Sequence, residues 1–194
     1  MRNSIYLNDK IEGFMNKGVC IFTIGHSTHP IDDFLAILKH YKINELIDIR
    51  TIPKSRHNPQ FNSDQLSHDL PNHHIGYRHI KKLGGLRHAQ KDSINTAWRN
   101  ASFRRFADYM QTAEFSQGVE ELIVIAQEKT VVIMCSEAVP WRCHRSLVGD
   151  ALLVRDLQVD DIYSLTQVKP HQLTPWAKVS GMTITYPAQG SNEK

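Results

Sequence analysis

Residues 131–145, VVIMCSEAVPWRCHR, carry four consecutive apolar residues, Val131 to Met134, straight into Cys135, Ser136 and Glu137. An apolar run without alternation is the pattern of a strand buried on both faces. Pro140, Trp141 and Arg142 follow, and Cys143, His144 and Arg145 lead a segment of helical periodicity. Proline ahead of such a segment suits the first turn of a helix. The stretch therefore predicts strand, polar loop, helix, with two thiols, a carboxylate, an imidazole and two guanidinium groups around one turn. In open α/β sheets, ligands bind at the carboxyl ends of the strands.

The same logic extends to both sides. Val19 to Ile24, VCIFTI, reads as a first buried strand ending at Gly25, with Cys20 as a small core residue. Pro30, with Asp32 and Asp33 behind it, opens a helix whose apolar face is Phe34, Leu35, Leu38 and Tyr41. Glu45 to Arg50 is a second strand, which makes a parallel crossover unit. The passage 51–88 is long, basic and broken by Pro53, Pro59 and Pro71, with a short helix expected near Ser63–Leu66 and a short strand over Gly76–Ile80. Leu83-Gly84-Gly85-Leu86-Arg87 permits a tight turn and a close backbone approach to a ligand. Helices are expected over Asn95–Thr112 and Phe115–Gln127, then from Cys143 to about Leu157, with strands over Asp161–Leu165 and Thr183–Tyr186. The fold class is α/β: one domain with a mainly parallel four- or five-stranded sheet flanked by helices. Its boundaries are a polar extension over 1–17, the domain over 18–180, and a partly disordered tail over 181–194.

The 194 residues, 41% hydrophobic and 22% charged, suffice for one packed core. No apolar run approaches the roughly 18 residues of a membrane span, and the first residues have no signal-peptide core. A cytoplasmic protein without a membrane partner is expected. Three cysteines do not form a disulfide framework. Between Arg50 and Lys91 eight Lys or Arg face only Asp64 and Asp69, so this stretch carries +6 of a chain whose net charge is +3. Such a stretch suits an anionic partner, a nucleotide or nucleic acid, or is a solvated basic surface.

Thr23-Ile-Gly-His-Ser-Thr28, Asp48-Ile-Arg50, Pro53-Lys-Ser-Arg56, Leu83-Gly-Gly85, Met134-Cys-Ser-Glu137 and Pro140-x-x-Cys143-His-Arg145 occur in this order. Together they resemble DUF488, a bacterial and archaeal family of unknown function, over about residues 20–166. The Met-Cys-Ala-Glu usual in that family is Met-Cys-Ser-Glu here. The resemblance implies an α/β domain and no established reaction or cofactor.

Three chemistries fit the residues. The first is an enzyme acting on a phosphate-bearing ligand, with His26, Asp48, Cys135 and Glu137 near the reaction and Ser27, Arg50, Lys54, Arg56, Arg142, Cys143, His144 and Arg145 binding the anion. Tyr77 and Trp141 are candidates to stack on a base. The second is a non-catalytic nucleic-acid-binding protein using the 50–91 surface. The third is sulfur-transfer or redox chemistry at Cys135 and Cys143. A cysteine-phosphatase loop is disfavoured, because its arginine would fall at 141, where Trp141 stands, and Glu137 would repel a phosphate. No metal is expected: Cys143 and His144, as neighbours on a helix, would point about 100° apart. The plainer readings remain beside these: buried structural cysteines, His26 capping the next helix, and Asp48 fixing an arginine.

Overall fold

The computed structural model describes residues 18–188. Its centre is a six-stranded sheet in the order β3-β2-β4-β1-β5-β6. The strands are β1 (Cys20–Gly25), β2 (Glu45–Asp48), β3 (Gly76–His79), β4 (Val131–Cys135), β5 (Gln158–Ser164) and β6 (Gln167–Pro170). The first five run parallel and β6 pairs antiparallel with β5. The mainly parallel α/β architecture is thus as expected. The antiparallel edge adds a strand the sequence did not announce, because Gln167–Pro170 is exposed at all four positions and has no apolar face.

Helices cover both faces: α1 (Ile31–His40) and α2 (Ser63–Asp69) on one, α3 (Ala101–Tyr109), α4 (Ala113–Glu128) and α5 (Arg145–Leu153) on the other. The two-residue period of β4 divides the core accordingly. Val132 and Met134 pack with Phe34, Leu38 and Leu66, while Val131, Ile133 and Cys135 pack with Phe106, Leu122 and Leu147. Burial on both faces is why β4 reads as an unbroken apolar run.

Several boundaries differ from expectation. Helix α3 begins at Ala101, where the Asn100 side chain caps it through Ser102 N–H; Trp98 lies before it, stacked on Phe103 at 4.7 Å. Pro140 starts a 3-10 turn, Pro140–Arg142, and the α-helix begins only at Arg145, so Cys143 is extended with φ −133° and ψ 142°. A short hairpin, β7 (Lys178–Ser180) and β8 (Thr183–Thr185), follows the sheet, and beyond it Tyr186 is fully buried, so packed structure continues past residue 180. The expected extension 1–17 and the residues 189–194 of the tail lie outside the described residues. Among the described residues no helix is long and apolar enough to cross a membrane.

A buried polar knot fixes α5 against the sheet. His171 bonds Asp161 of β5 at 2.9 Å and Asp150 of α5 at 3.2 Å. Tyr186 donates to Asp150 at 2.8 Å, and Thr23 of β1 donates to Asp161 at 2.5 Å. Burial disfavours a charged imidazole at His171, but hydrogen bonds and charge from Asp150 and Asp161 outweigh it and raise the pKa to about 9. The folded state therefore holds this proton more tightly than the unfolded chain, whose histidine titrates near ~6.5. The resulting stabilisation, about 3 kcal/mol in order of magnitude, is complete below ~6.5 and is lost as pH rises through about 9. Denaturant titrations between pH 6 and 10 should show this decline, and His171→Asn should flatten it.

Candidate functional site

Beyond the strands, hydrogen bonds keep zipping the carboxyl edge of the sheet. His26 N–H donates to Cys135 O and Ser27 N–H to Ser136 O, both at 2.9 Å, while Ile49 N–H donates to Met134 O at 3.1 Å. The ends of β1 and β2 are thereby tied to β4 on either side. Gly25 lets the 137–138 loop lie directly on β1, since a Cβ there would sit 1.8 Å from the Glu137 carbonyl oxygen. Arg145, only 1% exposed, closes the loop from the other side through the Glu137 carbonyl and, at 2.9 Å, the Ala138 carbonyl.

These loops surround a cleft of about 670 Å³. Of the expected site residues, His26, Ser27, Arg50, Lys54, Cys135, Glu137, Arg142, Cys143 and His144 line it. Asp48, Arg56 and Arg145 do not. Asp48 is fully buried and holds Arg50 Nε at 2.9 Å and Nη2 at 2.5 Å, with the Tyr77 hydroxyl donating to it at 2.9 Å. It is a structural partner, and Tyr77 is engaged beneath the cleft. Trp141 is 63% exposed outside the cleft, near Tyr163. Arg145 is engaged by the loop carbonyls, so it braces the wall from within.

His26 also differs from its expected acid–base role. Its Nδ1–H donates to the Ser27 carbonyl at 2.9 Å, and Nε2 faces Arg50 Nη1 at 3.2 Å. Burial lowers its pKa, the Ser27 carbonyl opposes that, and the Arg50 charge adds to the lowering. The ring, stacked on Phe61 at 4.3 Å, is a neutral support with both nitrogens occupied. Arg50 also gives Nη2 to the Phe61 carbonyl at 2.6 Å, so little of its guanidinium is left for a ligand.

The cleft floor is different. Among the described residues Cys135 and Cys143 are free thiols, and both face Nδ1 of His144, at 3.9 and 3.7 Å. His144 Nε2 lies 3.1 Å from the Ile49 carbonyl and donates to it. In the uncharged ring this leaves the Nδ1 lone pair toward the sulfurs. Phe106 packs edge-on against the imidazole, and Gly85 lies so close that a Cβ there would come within 2.5 Å of Nδ1. The close approach expected of the Gly84-Gly85 pair is therefore made to a histidine. The Cys135 thiol is pulled well below its ordinary pKa by the hydrogen bond from Cys143, against burial. Cys143 is pushed up by that same bond and by burial.

A family model described as "Domain of unknown function DUF488" matches residues 30–152. The chain belongs to the DUF488 family. That span runs from the turn before α1 to the end of α5 and contains the cysteine–histidine cluster. No curated protein and no solved structure matches the chain.

Within this DUF488 domain, four of the eight cations of the basic stretch 50–91 have partners in the chain. Arg50 pairs with Asp48, Arg78 with Glu45 and Lys82 with Glu121. Arg87 lies 3.6 Å over the Tyr109 ring. Lys54 and Arg142, in contrast, are exposed at the cleft and form no ion pair among the described residues. Sequence reasoning missed Ile49, which acts through its backbone carbonyl, and Thr51, whose Oγ1 accepts Leu86 N–H at 2.9 Å.

Because Gly25 and the 137–138 backbone are both fixed, neither can yield to a side chain. Gly25→Ala should cost at least the ~1–3 kcal/mol typical of overpacking, measured as a lower denaturation midpoint with an unchanged slope.

Proposed function

We propose that this DUF488 domain is an enzyme acting on a phosphate-bearing ligand of nucleotide size. The observation that supports it is the composition of one cleft: a thiol–imidazole cluster on its floor, with the exposed cations Lys54 and Arg142 at its edge, unpaired among the described residues. A volume near 670 Å³ falls within the roughly 300–1,000 Å³ of small-molecule sites. Ile52, Leu86 and Phe103 add an apolar wall, which suits a ligand with an anionic end and an aromatic or apolar part.

In this reading Lys54 and Arg142 hold the anion, since exposed cations can move onto a phosphate at little cost. The Glu137 carboxylate, exposed beside the floor, serves as acid or base. Cys135, with His144, supplies the reactive centre. Asp48, Arg50, His26 and Arg145 keep the walls in place. A purely nucleic-acid-binding role for residues 50–91 gains less support, because Arg50, Arg78, Lys82 and Arg87 already have partners within the chain.

Calorimetric titration with pyrophosphate and with nucleoside monophosphates tests the reading. Saturable binding is expected, weakened roughly ten- to a hundredfold by Lys54→Ala or Arg142→Ala, in keeping with ~1.5–3 kcal/mol for a charge-assisted contact. Glu137→Gln should preserve binding while removing turnover. Binding that ignores both cation substitutions would overturn the assignment.

A further inference from the structure

We propose that Cys135, Cys143 and His144 together hold one thiophilic metal ion, zinc fitting best, with its fourth coordination position open to the cleft. The three donor atoms lie within 4.8 Å of one another, and Nδ1 stands 3.9 Å from one sulfur and 3.7 Å from the other. A tetrahedral zinc with bonds of about 2.3 Å to sulfur and about 2.0–2.1 Å to nitrogen sets donor separations of roughly 3.5–3.8 Å. The two nitrogen–sulfur separations are within a few tenths of an ångström of these values, and the two sulfurs, within 4.8 Å of each other, need to close by at most about 1 Å.

Independent features agree. The Ile49 carbonyl takes the Nε2 proton of His144 and turns the Nδ1 lone pair inward, the outer contact that a metal-bound histidine requires. Arg145 N–H donates to Cys143 Sγ at 3.5 Å, a backbone contact that favours thiolate. Two thiolates neutralise a divalent cation, and two sulfurs with one nitrogen select zinc over the oxygen-seeking magnesium and calcium. Gly85 contributes no side chain where a Cβ would crowd Nδ1. Both thiols and the imidazole line the cleft, so three protein ligands leave one position for water or a ligand oxygen, the arrangement of catalytic zinc sites. A helical Cys143 would point about 100° away from His144. It is extended, and its side chain turns toward that of His144.

This centre deepens the cleft reading and rests on it only for what occupies the open position. Metal-free full-length protein titrated with cadmium should take up one ion per chain and develop a thiolate-to-cadmium ultraviolet band. Cys135→Ser and Cys143→Ser should each abolish the band, and His144→Ala should weaken binding by at least roughly 10–100-fold, the range seen even for outer contacts. Cys20→Ser should leave it intact, since burial and Asp160 push that thiol up to about 12. Absence of the band in wild-type protein, or its persistence in Cys143→Ser, overturns the proposal. Should the serine variants unfold, alkylation of the wild type decides: zinc must slow labelling of Cys135 and Cys143 while leaving the labelling rate of Cys20 unchanged, and equal labelling of Cys135 and Cys143 with and without zinc overturns it. Pyrophosphate binding to the metal-free protein is scored separately. Its failure with an intact cadmium band sinks the cleft reading alone, and the converse sinks the metal centre alone.

Discussion

One hydrogen bond decides what the floor of the cleft can do: His144 Nε2–H to the carbonyl of Ile49, at 3.1 Å. The acceptor lies just past β2 and the donor just before α5, so the bond joins two segments 95 residues apart in sequence. It sets which imidazole nitrogen meets the sulfurs, and a nucleophile dyad and a metal centre would both require that choice. Phe106 and Gly85 confine the ring from other sides.

Around that bond the charged groups divide by burial. Asp48, Arg50 and Arg145 are at most 6% exposed, and each is hydrogen-bonded within the protein. Removing a charge of this kind from water is costly, so its partners are supplied internally. Lys54, Arg142 and Glu137 stay hydrated at the edge and keep their capacity for a ligand. The cleft thus has a rigid ionic frame beneath and a free charged rim above. Its floor contains soft donors, whose chemistry depends on how they are oriented.

Much of this arrangement was legible in the chain. The unbroken apolar runs of β1 and β4 placed two adjacent parallel strands, and the rule for carboxyl edges brought His26, Arg50, Cys135 and Glu137 to one cleft. Distinguishing the working residues from the supporting ones was harder. A sequence shows that Asp48 and His26 can exchange protons, but not that a guanidinium and a carbonyl already occupy them. Nor does it show the backbone acceptor at Ile49. Pro140 correctly marked a change of direction, yet it opens a 3-10 turn, and the four-residue delay before α5 lets Cys143 and His144 converge. The edge strand β6 escaped because strands without an apolar face leave no periodic trace.

Nitrogen-15 NMR of the histidine rings in metal-free protein measures the central feature directly. For His144 the account predicts a single slowly exchanging tautomer, with the proton on Nε2 and an unprotonated Nδ1. A proton on Nδ1, or rapid averaging of the two tautomers, would contradict it: the lone pair would then not face Cys135 and Cys143, and the cleft would lack an organised centre.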